Sequence, residues 1–246
     1  MFKINNTNIV LIIQARIGSS RLPKKMLLDL AGKTVIERVI ERVKKVKYIN
    51  KIVLAIPDTK ENDDLEKIAF KNKIECFKGN ENDLVDRYYQ AALKYKADLV
   101  LRLPGDNPIP DPKEYEKLIK FHMNSNFDFS SNIMNFKNNG YPDGIGVEIF
   151  TFESLKYIWE NVKNEFNREH VATNYYDYIN DKYPNHTNFN IGTINCSSEI
   201  RRPNLCLDIN TKSEYIFINK IFEYFKNSEF TTLDLINWYD NKYKKN

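Results

Sequence analysis

A polar segment near the start of the chain combines the groups that bind a polyphosphate. Residues 14–25 read QARIGSSRLPKK, in which Arg16, Arg21 and Lys25 are candidate phosphate-binding cations beside a glycine and two serines. Backbone N–H groups, hydroxyls and fixed cations are what a triphosphate requires, because they stabilise a negatively charged leaving group. The glycine spacing of a P-loop or a dinucleotide fingerprint is absent. The segment therefore predicts a phosphate-binding loop of another kind, with a solvated basic loop as the alternative.

Two aspartates follow apolar segments and are candidate ligands for magnesium. Asp106 lies in residues 105–108, GDNP, and Asp208 lies in residues 205–210, LCLDIN. A carboxylate delivered at the end of a strand is a natural ligand for Mg²⁺ on a bound nucleotide. Either aspartate alone is equally explained by backbone hydrogen bonds within a turn. Together they predict a two-carboxylate magnesium site.

Two further polar clusters have less specific patterns. Asp83, Asp86 and Arg87 are best interpreted as the start of a helix, where acidic residues are favourable. The second cluster suits recognition of a hydroxylated, acidic substrate, and a surface network is the alternative. Its members are Tyr141, Asp143, Glu148, Arg168, Glu169 and His170.

Strand and helix patterns alternate through the first 130 residues. Apolar runs predict strands at 9–13, 52–56, 74–77 and 99–103, and helical spacing of apolar residues predicts helices at 35–46, 63–72, 83–96 and 112–123. This order predicts a Rossmann-like, three-layer α/β/α fold with a mostly parallel sheet. Ligands of such sheets bind outside the carboxyl ends of the strands, which places the segments after residues 13, 56 and 103 at the site.

The remainder of the chain is less regular, particularly from about 130 to 200. We predict strands at 147–150, 189–195 and 205–209, and helices at 152–159, 172–180, 213–225 and 232–239. The chain is interpreted as one domain, 1–246, in which the irregular insertion at 130–200 faces the substrate.

Composition excludes several classes of protein. The net charge is +4, from 37 basic and 33 acidic residues, and the lysines are spread along the chain rather than concentrated as in a nucleic-acid binder. Three cysteines without CxxC spacing argue against a disulfide framework. No apolar run is long enough to span a membrane. We therefore expect a cytoplasmic protein with no nucleic-acid or membrane partner.

Six of these segments, in order, resemble the cytidylyltransferases that make CMP-activated acid sugars, in particular the branch of spore coat polysaccharide biosynthesis protein F. Residues 14–25 resemble its Q-A-R-x-G-S-x-R-L-P-G-K, residues 83–89 its D-x-L-D-R-Y-Y, and residues 105–108 its G-D-x-P. Residues 141–148, 168–171 and 201–208 resemble Y-P-D-G-x-D-V-E, R-E-H-V and R-R-P-D-L-R-L-T-V-D. The resemblance extends from about residue 9 to about residue 220.

The resemblance implies a nucleotidyltransferase, glycosyltransferase-A-like fold and Mg²⁺-dependent transfer of CMP from CTP to an ulosonic-acid-type sugar, with release of pyrophosphate, for surface polysaccharide or capsule synthesis. It also implies a homodimer that uses region 130–200. The nucleotide-binding residues that it implies are Gln14, Ala15, Arg16, Gly18, Ser19, Arg21, Lys25, Asp83, Arg87, Gly105 and Asp106. Within this set Arg16, Arg21, Lys25 and Asp106 would be catalytic. Asp106 and Asp208 would hold Mg²⁺, and the cluster from Tyr141 to His170 would face the acceptor.

The sequence departs from the family pattern at three places. Lys24 and Gly146 stand where glycine and aspartate are usual, and residues 208–211, DINT, replace the usual D-T-x-E-D. Three functions are kept as alternatives to CMP transfer onto an acid sugar. One is a phosphorylated acceptor that gives a CDP-linked product, for which Arg201 and Arg202 could supply charge. The others are a nucleotide-sugar-dependent glycosyltransferase, although the chain has no Asp-x-Asp motif, and a nucleotide-binding protein without catalysis.

Overall fold

A mixed β-sheet flanked by helices forms the framework of the computed structural model, which describes residues 6–133, 136–178, 180, 182–185 and 187–244. The strands in this part of the chain are Ile9–Gln14 (β1), Lys51–Pro57 (β2), Glu75–Gly79 (β3), Leu99–Pro104 (β4), Phe129–Ser131 (β5), Glu148–Thr151 (β6) and Ile191–Gly192 (β7). The α-helices are Val35–Val43 (α1), Asp63–Lys71 (α2), Leu84–Lys94 (α3), Pro112–Met123 (α4), Phe152–Asn161 (α5), Glu165–Glu169 (α6), Lys212–Phe225 (α7) and Thr232–Trp238 (α8).

The strand order in the sheet is β3-β2-β1-β4-β6-β5-β7. The first four strands along the chain are all parallel, with β1 between β2 and β4. β6 pairs antiparallel with both β4 and β5, and the short β7 pairs parallel with β5. The predicted α/β class with a mostly parallel sheet is therefore confirmed.

The central strand β1 is buried on both of its faces, as its unbroken apolar run predicts. Ile9, Leu11 and Ile13 pack into one apolar cluster with α1, α2 and α4. Val10 and Ile12 point the other way, into a second cluster with α3 and α5. Because successive side chains of a strand alternate between faces, one run of five residues joins both helix layers to the sheet. A third cluster packs α7 and α8 against the segment 205–209.

Several helices begin at capping residues that fix their positions. Thr34 and Glu37 form a capping box at the start of α1, in which each side chain accepts from the other residue's backbone N–H. Asp111 caps α4 by accepting from the backbone of Lys113, and Pro112 occupies the first turn. The predicted helix at 112–123 matches α4 at both ends for this reason.

The prediction of a strand at 205–209 was wrong. Leu205, Leu207 and Ile209 do alternate inward, but they pack in the third cluster instead of joining the sheet. Their backbone bonds run to loop residues: Leu207 N donates to Asp143 O at 3.2 Å, and Ile209 N donates to Asp106 O at 2.9 Å. The alternation of apolar residues in 205–209 therefore indicated that one face of the segment is buried, and not that the segment pairs with a strand of the sheet.

Other differences lie in and beside the irregular region. The predicted strand at 189–195 shortens to β7, and β5 was not predicted. The predicted helix at 172–180 is replaced by a 3₁₀ turn, Val171–Asn174, followed by turns, with residue 179 outside the described part. Aromatic packing decides this geometry, since the Tyr175 ring stacks on the Phe129 ring with centroids 4.6 Å apart. Among the described residues, no helix is long and apolar enough to cross a membrane.

Candidate active site

A cleft of about 310 Å³ opens at the carboxyl ends of β1 and β4. This is where a parallel sheet is expected to bind its ligands. Seven of the residues predicted to bind nucleotide line it from the first loop: Gln14, Ala15, Arg16, Gly18, Ser19, Arg21 and Lys25. Five other predicted site residues join them from distant parts of the chain: Arg87, Gly105, Asp106, Glu169 and His170.

The loop after β1 is held against the body of the protein by its backbone. Asn62 accepts from Ile17 N at 2.9 Å, and Gln14 O accepts from Gly105 N at 2.8 Å. A Cβ at Gly105 would lie 2.9 Å from that same oxygen, so only glycine lets the two loops approach so closely. Arg16 and Arg21 are exposed where this loop lines the cleft.

Lys25 joins the loop to the turn after β4. Its ammonium group forms an ion pair with Asp106 and donates to Ile209 O at 3.0 Å, although Lys25 is only 8% exposed. A buried ammonium is stable only with such partners. The predicted phosphate loop and the predicted metal ligand thus meet at one point of the cleft.

A group of acidic side chains lies beside this point. Ligand atoms of Asp143, Cys206 and Asp208 all lie within 4.8 Å of one another. Burial, and then the charges of Asp143 and Asp106, raise the pKa of Asp208 to about 6. Burial likewise raises the pKa of Asp143. Excess negative charge at this edge therefore favours a cation.

Asn210 links these carboxylates to the first loop. Arg21 Nη2 donates to Asn210 Oδ1 at 2.9 Å, and the Asn210 amide donates to Asp208. Asn210 was not predicted as a site residue, although it lies two residues after a candidate ligand. In this extended segment that spacing places both side chains on the same side.

Glu148 does not line the cleft, contrary to its expected contact with the acceptor. It is 1% exposed, forms an ion pair with Arg102 and accepts from Tyr178 Oη at 2.9 Å. Arg102 does line the cleft and was missed by sequence analysis. Burial lowers the pKa of Arg102, but the charge of Glu148 outweighs it and the net pKa is raised. A lone cation within the apolar run LVLRL was the available signal.

Asp83 and Arg168 form a structural link outside the cleft. Asp83 caps α3 and accepts from Arg168 Nε at 2.6 Å. Arg168 also donates to the backbone oxygens of Trp159 and Val162. The pair therefore ties α6 to α3, and it brings the neighbouring Glu169 and His170 to the rim of the cleft.

Tyr141 is fully buried and also lies away from the cleft. Its hydroxyl donates to Glu114 Oε2 at 2.6 Å, beneath α4.

Arg201 and Arg202 do not line the cleft, where a phosphorylated acceptor would need their charge. Arg202 pairs with Asp240, and Arg201 lies over Gly140. Glu81, Asn82 and Leu84 line the cleft at the start of α3 and were not predicted, because their residue types are equally typical of any turn that leads into a helix.

Comparison with known proteins identifies the family. Residues 10–233 match the family described as cytidylyltransferase. The chain belongs to the cytidylyltransferase family. It is accordingly a CTP-dependent nucleotidyltransferase, and the resemblance drawn from its six motifs is confirmed.

Relatives in this family span most of the chain. An uncharacterised protein of Methanocaldococcus jannaschii is 32% identical, covering 87% of this chain and 84% of the relative. Spore coat polysaccharide biosynthesis protein SpsF of Bacillus subtilis is 29% identical, covering 88% and 87%. The 3-deoxy-manno-octulosonate cytidylyltransferase of Escherichia coli is 34% identical over a shorter region, 45% of this chain and 44% of the relative.

Solved structures show the same architecture. A cytidylyltransferase from Leptospira borgpetersenii superposes with a TM-score of 0.87 at 28% identity, covering 97% of this chain and 96% of that one. A CMP:2-keto-3-deoxy-manno-octonic acid synthetase complexed with CTP gives a TM-score of 0.63 at 17% identity, covering 89% and 99%. At that identity the second likeness concerns the fold alone.

Proposed function

We propose that this cytidylyltransferase transfers CMP from CTP to a hydroxyl of an acid sugar of the ulosonic-acid type and releases pyrophosphate. The reaction would take place in the cytoplasm, and the CMP-sugar would serve the synthesis of a surface polysaccharide. The observation that carries the proposal is the meeting of the cationic loop with Asp106 in one cleft through Lys25. Relatives named as 3-deoxy-manno-octulosonate cytidylyltransferases support the substrate class.

The cationic residues of the first loop would bind the triphosphate. Arg16 and Arg21 are exposed at the cleft, and Ser19 adds a hydroxyl. In-line attack on the α-phosphorus needs alignment and charge neutralisation more than covalent help. Lys25 would stabilise charge that develops on the departing pyrophosphate. Arg87, which is 5% exposed beneath the cleft wall, would lie near the cytidine.

A divalent cation fits the carboxylates on the other side of Lys25. Asp106 and Asp208 would hold Mg²⁺, with Asp143 adjacent, because hard oxygen donors and unbalanced negative charge are what this ion prefers. When bound, Mg²⁺ would supply charge neutralisation on the phosphates and lower the pKa of the attacking hydroxyl. Asn210 would keep the Asp208 carboxylate oriented.

The rim of the cleft would receive the acceptor. Glu169 and His170 are exposed there, on the segment that Arg168 and Asp83 tie to α3. Glu148 would act from beneath through Arg102, whereas Tyr141 would support the fold through its bond to Glu114. His170 at this rim is a candidate base for the acceptor hydroxyl.

Region 130–200 would also form a homodimer contact. Tyr157, Phe166 and Tyr183 expose large aromatic rings there. Analytical ultracentrifugation of Phe166→Glu tests this, since a charge at such a contact would convert a dimer to a monomer. A monomeric wild-type protein would contradict it.

The deciding experiment measures pyrophosphate release with Mg²⁺, each of the four ribonucleoside triphosphates and a panel of acid sugars and sugar phosphates. We expect CTP-selective release with an acid sugar, abolished by Asp106→Asn and kept by Asp64→Asn, which removes a carboxylate from an exposed surface pair. Release with sugar phosphates alone would favour the CDP-linked product. CTP binding without turnover across the panel would contradict the proposed reaction.

A further inference from the structure

The side-chain amide of Gln14 lies on the floor of the cleft, where two donors hold its oxygen. Arg102 Nε donates to Gln14 Oε1 at 3.1 Å. Tyr88 Oη, on α3, lies 3.1 Å from the same oxygen and 3.3 Å from Ile12 O. The amide oxygen is thus held between Arg102 of β4 and Tyr88 of α3.

The contact with Arg102 decides which end of the amide is which. A guanidinium group has donors but no acceptor, so the atom that faces Arg102 Nε must be the amide oxygen. The amide nitrogen then lies on the other side. No described residue accepts a hydrogen bond from Gln14 Nε2, and Gln14 is part of the cleft lining. The cleft floor therefore presents an N–H donor of fixed orientation.

Arg102 is itself held from below. Glu148 pairs with it, and Tyr178 Oη donates to the second carboxylate oxygen at 2.9 Å. A guanidinium with an ion-pair partner on one nitrogen and Gln14 on another cannot rotate without breaking both contacts. These contacts form a continuous series from Tyr178 through Glu148 and Arg102 to Gln14.

We propose that Gln14 selects cytosine over uracil by donating from Nε2 to N3 of the base, with Arg102 and Glu148 as positioning residues. The inference rests on the proposed placement of CTP in this cleft. Asn82 and Leu84 line the cleft at the start of α3, together with Glu81 and with Arg87, beside which the cytidine is placed. N3 of cytosine is an acceptor, whereas N3 of uracil carries a hydrogen. With UTP the fixed donor would face another donor, a mismatch that costs about tenfold to a hundredfold in binding.

Gln14→Glu is the sharpest test, because it keeps an oxygen for Arg102 and replaces only the amide nitrogen. The measurement is the dissociation constant of CTP and of UTP by calorimetry with Mg²⁺ and no acceptor, and then kcat and KM for both. We expect the CTP preference to fall about tenfold or more in Kd and KM. Gln90→Glu adds the same charge on α3 outside the cleft and should leave the preference unchanged.

Arg102→Lys provides a second variant should Gln14→Glu fold poorly. It keeps the charge for Glu148 but loses the planar pair of contacts, so the CTP preference should fall while the Tm changes little. A purely structural role would weaken CTP and UTP binding equally. Equal weakening in both variants, or a wild-type protein that binds UTP as tightly as CTP, would overturn the inference. Pyrophosphate release with an acid sugar is read separately, so the reaction and the selectivity can fail independently.

Discussion

At the scale of single residues, Lys25 connects the phosphate loop to the carboxylates. Its buried ammonium bonds Asp106 and Ile209 O, whereas the adjacent Lys24 is exposed. Removing one preorganised donor to a reacting phosphate typically lowers kcat by about 10²–10³. We therefore expect a loss of this size for Lys25→Met in pyrophosphate release from CTP.

Lys24→Met is the matched control for Lys25→Met, because it removes a lysine of the same loop that does not line the cleft. It should retain activity within about twofold. Equal losses in the two variants would show that the loop acts through general positive charge and not through the contact of Lys25 with Asp106.

The buried pair of Glu148 and Arg102 predicts a stability effect. In Glu148→Gln the Arg102 guanidinium, 15% exposed, loses its ionic partner. Breaking a buried pair from one side costs about 3 kcal/mol. We expect urea unfolding to show a loss of this order, with no measurable change for Asp64→Asn in its exposed pair with Lys67. A Glu148→Gln protein of unchanged stability but raised KM for the acid sugar would instead support direct substrate contact.

At the scale of elements, the close approach of the segment before β6 to the residue after β5 explains the glycine at position 146. A Cβ there would lie 2.3 Å from Asn132 O and 2.9 Å from Asn132 Oδ1. Asn132 in turn accepts from Val147 N at 2.8 Å and fixes the approach to β6. The aspartate usual in the family therefore has no space here without a shift of backbone.

Gly146→Asp should consequently fail to restore a family contact and should destabilise the protein. Overpacking costs about 1–3 kcal/mol, and a buried carboxylate beside a carbonyl oxygen adds to it. Thermal unfolding of Gly146→Asp and Gly146→Ala checks this, since the first added carbon already collides in both. A stable Gly146→Asp protein with tighter acid-sugar binding would contradict the steric argument.

At the scale of the whole molecule, a buried histidine makes global stability depend on pH. His122 on α4 is 0% exposed, and its Nδ1 lies 2.9 Å from Ser130 Oγ on β5. Burial lowers the pKa of His122 from 6.5 to about 4. The unfolded chain therefore binds more protons between these values, and the stability due to neutral His122 is complete above pH 6.5 and is lost as the pH falls toward 4.

His122→Leu should flatten this part of the stability profile. We expect the wild-type protein to lose roughly 3 kcal/mol of unfolding free energy more than the variant across this window, because one unit of pKa difference corresponds to about 1.4 kcal/mol. Urea titrations at several pH values give the measurement. Equal slopes for wild type and His122→Leu would exclude His122 as the source.

Sequence patterns predicted the sheet core because that part of the fold is locally encoded. The apolar run of β1 and the capping residues of α1 and α4 depend on neighbours in the chain, and the predicted first residues of these elements agree with the structure, although α1 ends three residues before its predicted end. The same reasoning found Asp106 and the cationic loop, since each follows a strand whose carboxyl end must lie at the ligand edge.

Only the tertiary structure decided which charged residues pair, and whether a segment of alternating apolar residues joins the sheet. Glu148 was predicted to face the acceptor, but antiparallel pairing with β4 sets it opposite Arg102 and buries it. Leu205 to Ile209 reads as a strand, but contacts with α7 and α8 cover its apolar face instead. The sequence by itself thus determined the family, the sheet and the phosphate loop. Contacts between residues far apart in the chain determined the cleft floor, because burial and charge pairing depend on which elements meet.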